Sequence, residues 1–222
     1  RWMGSQIRLV AYFQNLVLIA AFLGMGLGVA LGRERPRLVD YALPALAGLS
    51  VLLAFSDGLG LMHARFPDRS VFFWGSDPGE AWVLDPLKFL GSVTLVVGLF
   101  WAVAGVFLLA SAPIGYLFGQ TETLRAYAAD LGGSLLGVIA MTALAALGTG
   151  PVVWLAFAVL PLLWLSRKPS SLVAAAIVVI CGAASVQGAA FSPYNRIDLS
   201  PDPFGDGTTT EWRLQVNRDF HQ

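Results

Sequence analysis

Long apolar stretches separated by short polar connections dominate this chain of 222 residues. The hydrocarbon core of a bilayer is about 30 Å thick, so a helix that crosses it needs roughly 20 apolar residues. Six stretches come close to or reach that length, over residues 9–31, 38–61, 89–112, 126–147, 152–165 and 172–191. The fifth is short, begins at Pro151 and contains Pro161. The pattern predicts an all-α polytopic membrane bundle of about six transmembrane helices over residues 1–191.

The longest polar connection covers residues 62–88 and mixes tryptophan and phenylalanine with charged residues. Aromatic rings among charges suit the headgroup region of a bilayer. This connection is therefore predicted to be an interfacial loop, with a ligand-binding lid as the alternative.

The chain changes character after Phe191. Residues 192–199 and 211–217 alternate polar and apolar side chains, and turn-forming Pro, Gly and Asp residues lie between them. Two alternating runs around such a loop predict a β-hairpin over residues 192–222. Since a lone hairpin is only marginally stable in water, we expect it to begin a soluble domain beyond Gln222 or to dock on a partner. The chain begins at Arg1 without an initiator methionine, so we expect a fragment or a processed chain.

Composition agrees with this division. The chain is 56% hydrophobic and only 13% charged, with 14 Lys and Arg residues balanced by 14 Asp and Glu residues and one cysteine. Soluble domains carry about 25% charged residues. The balance argues against a soluble enzyme, a disordered tail, a nucleic-acid-binding protein and a disulfide scaffold, and it predicts the lipid bilayer as a partner.

Small-residue faces recur along the predicted helices. The glycines concerned are Gly24, Gly28 and Gly32 in the first span, Gly115 and Gly119 after the third, and Gly133 and Gly137 in the fourth. Glycines four residues apart allow two helix backbones to approach closely in lipid. We expect them to pack the bundle internally, and a homodimer seam is the alternative.

Polar residues inside the apolar stretches are the candidates for function, because an ionised group in hydrocarbon is costly. They are Asp57 late in the second span, Asp130 early in the fourth and Gln187 late in the sixth. Asp130 is close to a helix N-terminus, where the dipole favours a carboxylate, and Arg125 is one turn away as a possible partner. Structural roles for both aspartates are expected, and a proton or cation relay remains the alternative.

Catalytic and metal-binding patterns are absent from the sequence. His63 and His221 are far apart, Cys181 stands alone, and no glycine-rich nucleotide loop is present. We therefore expect no catalytic residue, no metal and no cofactor in this chain.

Basic residues near the span ends bear on orientation. Six follow the first, third and fifth spans (Arg33, Arg35, Arg37, Arg125, Arg167 and Lys168), and five lie on the other side (Arg1, Arg8, Arg65, Arg69 and Lys88). The positive-inside rule favours a cytoplasmic position for the first set, by a margin of one residue. Six spans would then leave the hairpin outside.

Several segments share a family resemblance when read in order. They are AYFQNLVL at 11–18, FLGMGLG at 22–28, PIGYLFG at 113–119, AYAADLGGSLLG at 126–137, SPYNRI at 192–197 and LQVNRDFHQ at 214–222. Together they resemble bacterial proteins that fuse a helical membrane domain to a spermidine-synthase-like domain. The resemblance implies a multi-pass protein of the bacterial inner membrane with a further span upstream of Arg1.

The resemblance also implies chemistry for the full-length protein. A downstream domain would bind an S-adenosyl-type nucleotide and transfer an aminopropyl group to a polyamine. Asn195 stands where the family's first strand carries a glutamine, and Gln222 falls at the substrate-facing glutamine of the second strand. The catalytic base and the nucleotide-binding groups would lie beyond Gln222. Because adenosyl nucleotides are cytosolic, the resemblance implies a cytosolic hairpin, against the count of basic residues.

Three functions follow as hypotheses. The first is a membrane anchor, itself non-catalytic, for a spermidine-synthase-like domain. The second is a structural subunit of a larger membrane complex, in which the hairpin docks on a partner subunit. The third is a transporter of a small solute or ion that uses Asp57 and Asp130.

Overall fold

The structure is a computed structural model, and it describes residues 2–7, 10, 14–56, 58–59, 61, 86–166, 168–186, 188–192, 195–201, 212–216 and 219–220. Most of these residues are helical. The helices are α1 (Trp2–Gln6), α2 (Gln14–Gly32), a 3₁₀ helix (Pro36–Tyr41), α3 (Ala42–Ala54), α4 (Pro86–Gln120), α5 (Thr123–Ala146), α6 (Pro151–Leu165) and α7 (Ser170–Ala184). A small antiparallel sheet follows them.

Four helical segments within the described ranges are long and apolar enough to cross a membrane. They are Asn15–Gly32, Pro36–Ala54, Leu90–Gln120 and Thr123–Ala146. Helices α6 and α7 are apolar but have 15 residues each, which corresponds to about 22 Å. The chain is thus compatible with an integral membrane protein, with four helices of spanning length where the sequence predicted about six.

Three helix boundaries differ from the predicted spans. Helix α3 ends at Ala54 rather than at Leu61, and residues 55–56 and 58–59 form turns. Helix α4 does not end at Ala112 but continues through Pro113 to Gln120, which makes it about 52 Å long. Helix α7 ends at Ala184 rather than at Phe191, and Gly188, with a φ of 75°, directly precedes a strand that begins at Ala189. A positive φ is readily available only to glycine. Of the predicted interfacial loop, residues 62–85 lie outside the described part, and residues 86–88 belong to α4.

The bundle is built from two packed groups of helices. Helices α2 and α4 run parallel along a glycine seam. Helix α3 packs on α7 through Leu43, Ala47 and Val178, and Val159 of α6 joins this cluster. The short helix α1 connects the groups, since Trp2 lies in one apolar cluster with residues of α3, α4 and α7. Helix α5 touches its neighbours little.

The sheet has four strands in the order β1-β2-β3-β4, all antiparallel. The strands are β1 (Ala189–Phe191), β2 (Arg196–Pro201), β3 (Trp212–Val216) and β4 (Asp219–Phe220). In the central pair, Ile197 faces Val216 and Leu199 faces Leu214. These two strands come from the alternating runs in the sequence, and the flanking strands provide the additional pairing that a lone hairpin lacks.

The opposite end of the bundle is closed by polar contacts between two connections. The Ser166 hydroxyl donates to Asp40 Oδ1 at 3.3 Å and shares a 2.6 Å hydrogen bond with Ser171. The Lys168 ammonium lies 3.6 Å from the centre of the Tyr41 ring. Helix α7 runs from this end towards the sheet. The sheet therefore lies at the end of the bundle opposite to the α2–α3 connection.

Candidate functional site at the junction of the bundle and the sheet

Arg196 is a buried charged residue at the start of β2. Its side chain is 3% exposed, and that of Asp198 is 16% exposed. Residues i and i+2 of a strand point to the same side, so the two side chains meet. Arg196 Nε donates to Asp198 Oδ2 at 2.8 Å and Nη2 donates to Oδ1 at 2.7 Å. This two-pronged pair fixes the guanidinium plane.

The third branch of the same guanidinium reaches the end of α7. Arg196 Nη1 donates to the backbone carbonyl of Ser185 at 2.8 Å, and Ser185 is the C-cap residue of α7. The last carbonyls of a helix have no partner within it, and the negative end of the helix dipole attracts a cation. Arg196 therefore caps α7 from the sheet and joins the two parts of the structure.

The Ser185 side chain adds the N-terminal helix to this junction. The Trp2 indole Nε1 donates to Ser185 Oγ at 2.8 Å, and the Ser185 hydroxyl donates to the carbonyl of Gly182 at 2.8 Å. Trp2 and Ser185 are both buried. Helices α1 and α7 and strand β2 thus meet at one residue, Ser185.

A second contact holds strand β1 against the turn between α5 and α6. The Phe191 ring meets Trp154 edge to face, with centroids 5.8 Å apart, and the same ring lies beside Gly150. Trp154 Nε1 donates to Thr149 Oγ1 at 2.9 Å, and that hydroxyl donates to the carbonyl of Leu144 at 2.7 Å. The sheet is therefore fixed to the bundle at two places, the end of α7 and the start of α6.

The predicted substrate residue Asn195 lies next to this junction. It is exposed, and its backbone closes the β1–β2 turn: the Ser192 amide donates to the Asn195 carbonyl at 2.9 Å, and the Asn195 amide donates to Ser192 Oγ at 2.9 Å. Three further polar candidates, Gln222, Asp57 and Gln187, lie outside the described residues.

Gly24, Gly28 and Gly32 lie in the seam between α2 and α4. A Cβ atom added to these glycines would collide with backbone atoms of Ala104, Leu108 and Ala112, respectively. Gly115 of α4 meets the backbone of α2 in the same way. Close approach at four positions is what small residues permit in lipid-embedded helices.

Gly133 and Gly137 of α5 have different surroundings. An added Cβ atom at either one would meet nothing within 4 Å, so the close packing expected of them is not seen within the described chain. Asp130 is exposed on the same helix. Arg125, its possible partner, instead forms an exposed ion pair with Glu122 at 3.2 Å, because these two residues are one turn apart at the helix start.

Among the described residues, no group of three or more His, Cys, Asp or Glu side chains could hold a metal ion. An apolar cavity of about 20 Å³ lies where α1 meets α2 and α4 and is lined by residues that include Met3, Val10, Leu99 and Val103. A water needs about 10–15 Å³ and two or more polar partners, and the lining residues are all apolar.

Sequence reasoning missed Arg196 as a functional residue. The available signal was a charged pair two residues apart on a predicted strand that begins shortly after the sixth apolar stretch. That pattern shows that Arg196 and Asp198 lie on the same side of the strand. The contact between Arg196 and Ser185 depends on how the sheet packs against the end of α7, which the pattern does not reveal.

Comparison with known protein families, with curated proteins and with solved structures finds no match to this chain.

Proposed function

We propose that this chain is a non-catalytic membrane anchor that holds an extramembrane β-structure in a set position at one face of the bilayer. The observation that supports this proposal best is the buried Arg196. An anchor on a flexible tether needs no contact between its parts, whereas here one guanidinium binds both the sheet and the end of α7.

In its finer form, the proposal places α6 and α7 in the membrane together with the four longer helices. The protein is then a multi-pass component of a bacterial inner membrane. The segments that resemble membrane-fused spermidine-synthase-like proteins support an extramembrane part that opens an aminopropyltransferase-like domain on the cytosolic side. A downstream part of such a protein would bind the adenosyl nucleotide and the polyamine.

The test removes the Arg196 side chain. Membranes that contain the chain are washed with alkaline carbonate, and hydrogen exchange is then measured for β2 and β3. We expect Arg196→Ala to stay in the membrane pellet but to destabilise the sheet by about 3–5 kcal/mol, since the Asp198 charge is left without its partner. Exchange of the strand amides should accelerate accordingly, while exchange in α2 and α4 stays unchanged.

The matched control is Arg125→Ala, which breaks an exposed pair whose side chains are 82% and 66% exposed. Exposed ion pairs contribute little to stability, so exchange in the sheet should not change. Sheet exchange equally slow in Arg196→Ala and wild type would contradict the anchoring role of the junction. Release of the wild-type chain by the carbonate wash would contradict membrane insertion itself.

A second candidate function is a subunit of a larger membrane complex. The observation in its favour is α5, where every residue from Tyr127 to Ile139 is exposed. Such a helix has room for a partner helix along most of its length. The transporter hypothesis stays a prediction, because Asp57 lies outside the described residues and Asp130 lies on the open surface of α5.

A further inference from the structure

Three exposed arginines lie within five residues in the connection between α2 and α3. They are Arg33, Arg35 and Arg37, and Glu34 is the one acidic residue among them. None of the three forms an ion pair with another residue that the structure describes. We propose that these arginines bind the phosphate groups of anionic membrane lipids. This inference rests on the proposed insertion of the bundle in a membrane.

The connection has a definite backbone arrangement. The amides of Glu34 and Arg35 both donate to the carbonyl of Leu31, at 3.3 and 3.1 Å, and the amide of Leu38 donates to the carbonyl of Arg35 at 3.2 Å. Gly32, immediately before the arginines, lies against the backbone of α4. The charges are therefore presented from the end of the tightest helix pair in the bundle.

Exposed aromatic residues indicate the depth of this end in a bilayer. Trp164, in the last turn of α6, is 85% exposed, and Tyr41 is 55% exposed. Tryptophan and tyrosine favour the boundary between hydrocarbon and headgroups. Tyr41 also contacts Lys168, which ties the two aromatic positions to the same polar end. The neighbouring arginines are then placed at the level of the lipid phosphates.

Arginine is suited to this ligand. Its planar guanidinium binds two phosphate oxygens at once, and it is more weakly hydrated than the lysine ammonium. The dipole of α2 explains one of the three charges, because a cation is favoured within the last turn of a helix. That effect fits Arg33, but it does not explain Arg35 or Arg37, which precede and enter the next helix.

The experiment measures lipid retention by the whole chain. The protein is purified in detergent with phosphatidylglycerol and phosphatidylcholine in equal amounts, and retained lipids are counted by native mass spectrometry. We expect a preference for phosphatidylglycerol that falls about five-fold per arginine removed, or on the order of 100-fold in R33Q/R35Q/R37Q. Arg125→Gln, at the same end but already paired with Glu122, should keep the wild-type preference.

A charge-retaining variant separates lipid binding from folding. R33K/R35K/R37K should keep most of the preference, and all variants should share the wild-type thermal midpoint, since the three side chains are exposed. An unchanged preference for phosphatidylglycerol in R33Q/R35Q/R37Q would overturn the proposal. Loss of the wild-type preference on adding millimolar inorganic phosphate would also overturn it, because it would indicate a soluble ligand. Either result can occur with the chain still resistant to carbonate, so membrane insertion is judged separately.

Discussion

Helices α2 and α5 carry the same spacing of glycines, yet their surroundings differ completely. Gly24, Gly28 and Gly32 of α2 are covered by the backbone of α4, whereas Gly133 and Gly137 of α5 face open space. Small residues four apart show that a helix face can be approached closely. They do not show that a partner exists within the same chain.

The contrast extends to the polar residues on the two faces. In the α2–α4 seam, the buried Ser111 hydroxyl lies 2.8 Å from the carbonyl oxygen of Phe107 in its own helix and 3.2 Å from that of Met25 across the seam, and its single proton serves these two acceptors. On α5, Asp130 lies exposed close to the glycines. The filled face satisfies its polar group internally, and the open face leaves its carboxylate to the surroundings.

Among changes on these two glycine faces, the largest expected effect comes from filling the closed seam. Gly28→Leu introduces a side chain where even a Cβ atom collides with the Leu108 backbone and with Ser111. We expect a loss of about 3 kcal/mol, at the upper end of overpacking costs, because the obstacle is backbone rather than a movable side chain. Unfolding in mixed micelles of increasing SDS content measures it. A loss below about 1 kcal/mol would mean that the two helices separate easily.

A smaller effect is expected from the hydrogen bond across the seam. Ser111→Ala removes the donor to Met25 and should cost about 0.6–1.7 kcal/mol, the range found for hydrogen bonds between membrane helices. The same SDS titration measures this loss of stability. The control is Thr142→Ala, a hydroxyl removed from the exposed surface of α5. Equal costs in the two variants would remove the distinction between the helices.

The smallest effect is expected on the open face. Gly133→Leu meets no neighbouring atom in the described chain, and leucine favours a helix over glycine by under about 1 kcal/mol, so no stability should be lost. This variant is the direct counterpart of Gly28→Leu and is measured in parallel. If it destabilises as much as Gly28→Leu, the face of α5 is covered by another chain in the micelle.

Much of the helical architecture was predictable from the sequence because hydrophobicity is a local property. Helices α2 to α7 and the pairing of β2 with β3 follow from apolar stretches and from alternation, whereas the short helix α1 was not predicted. Strand β1 was not predicted, because Ala189, Ala190 and Phe191 continue the apolar run of α7 without a change of composition. The turn at Gly188 separates strand β1 from helix α7. In a chain with 24 glycines, one more glycine does not stand out as the position of a turn.

The junction was harder to predict than the helices. Its partners, Trp2, Ser185 and Arg196, come from the start of the chain, from a helix end and from a strand. Each residue type is ordinary where it stands, and only the fold brings the three together. Sequence spacing also failed to identify a partner at short range. Arg125 has two carboxylates within one or two helical turns, and it pairs with Glu122 rather than with Asp130.

The hydrogen bond between Trp2 and Ser185 joins residues 183 positions apart in the chain. Chains emerge from the ribosome at about 5–20 residues per second, so Ser185 is made about 10 to 40 s after Trp2. The Trp2 indole can therefore reach this hydrogen-bond acceptor only after helices α2 to α7 have been synthesised. The junction is a late contact of the nascent chain, although one of its residues is among the first to be made.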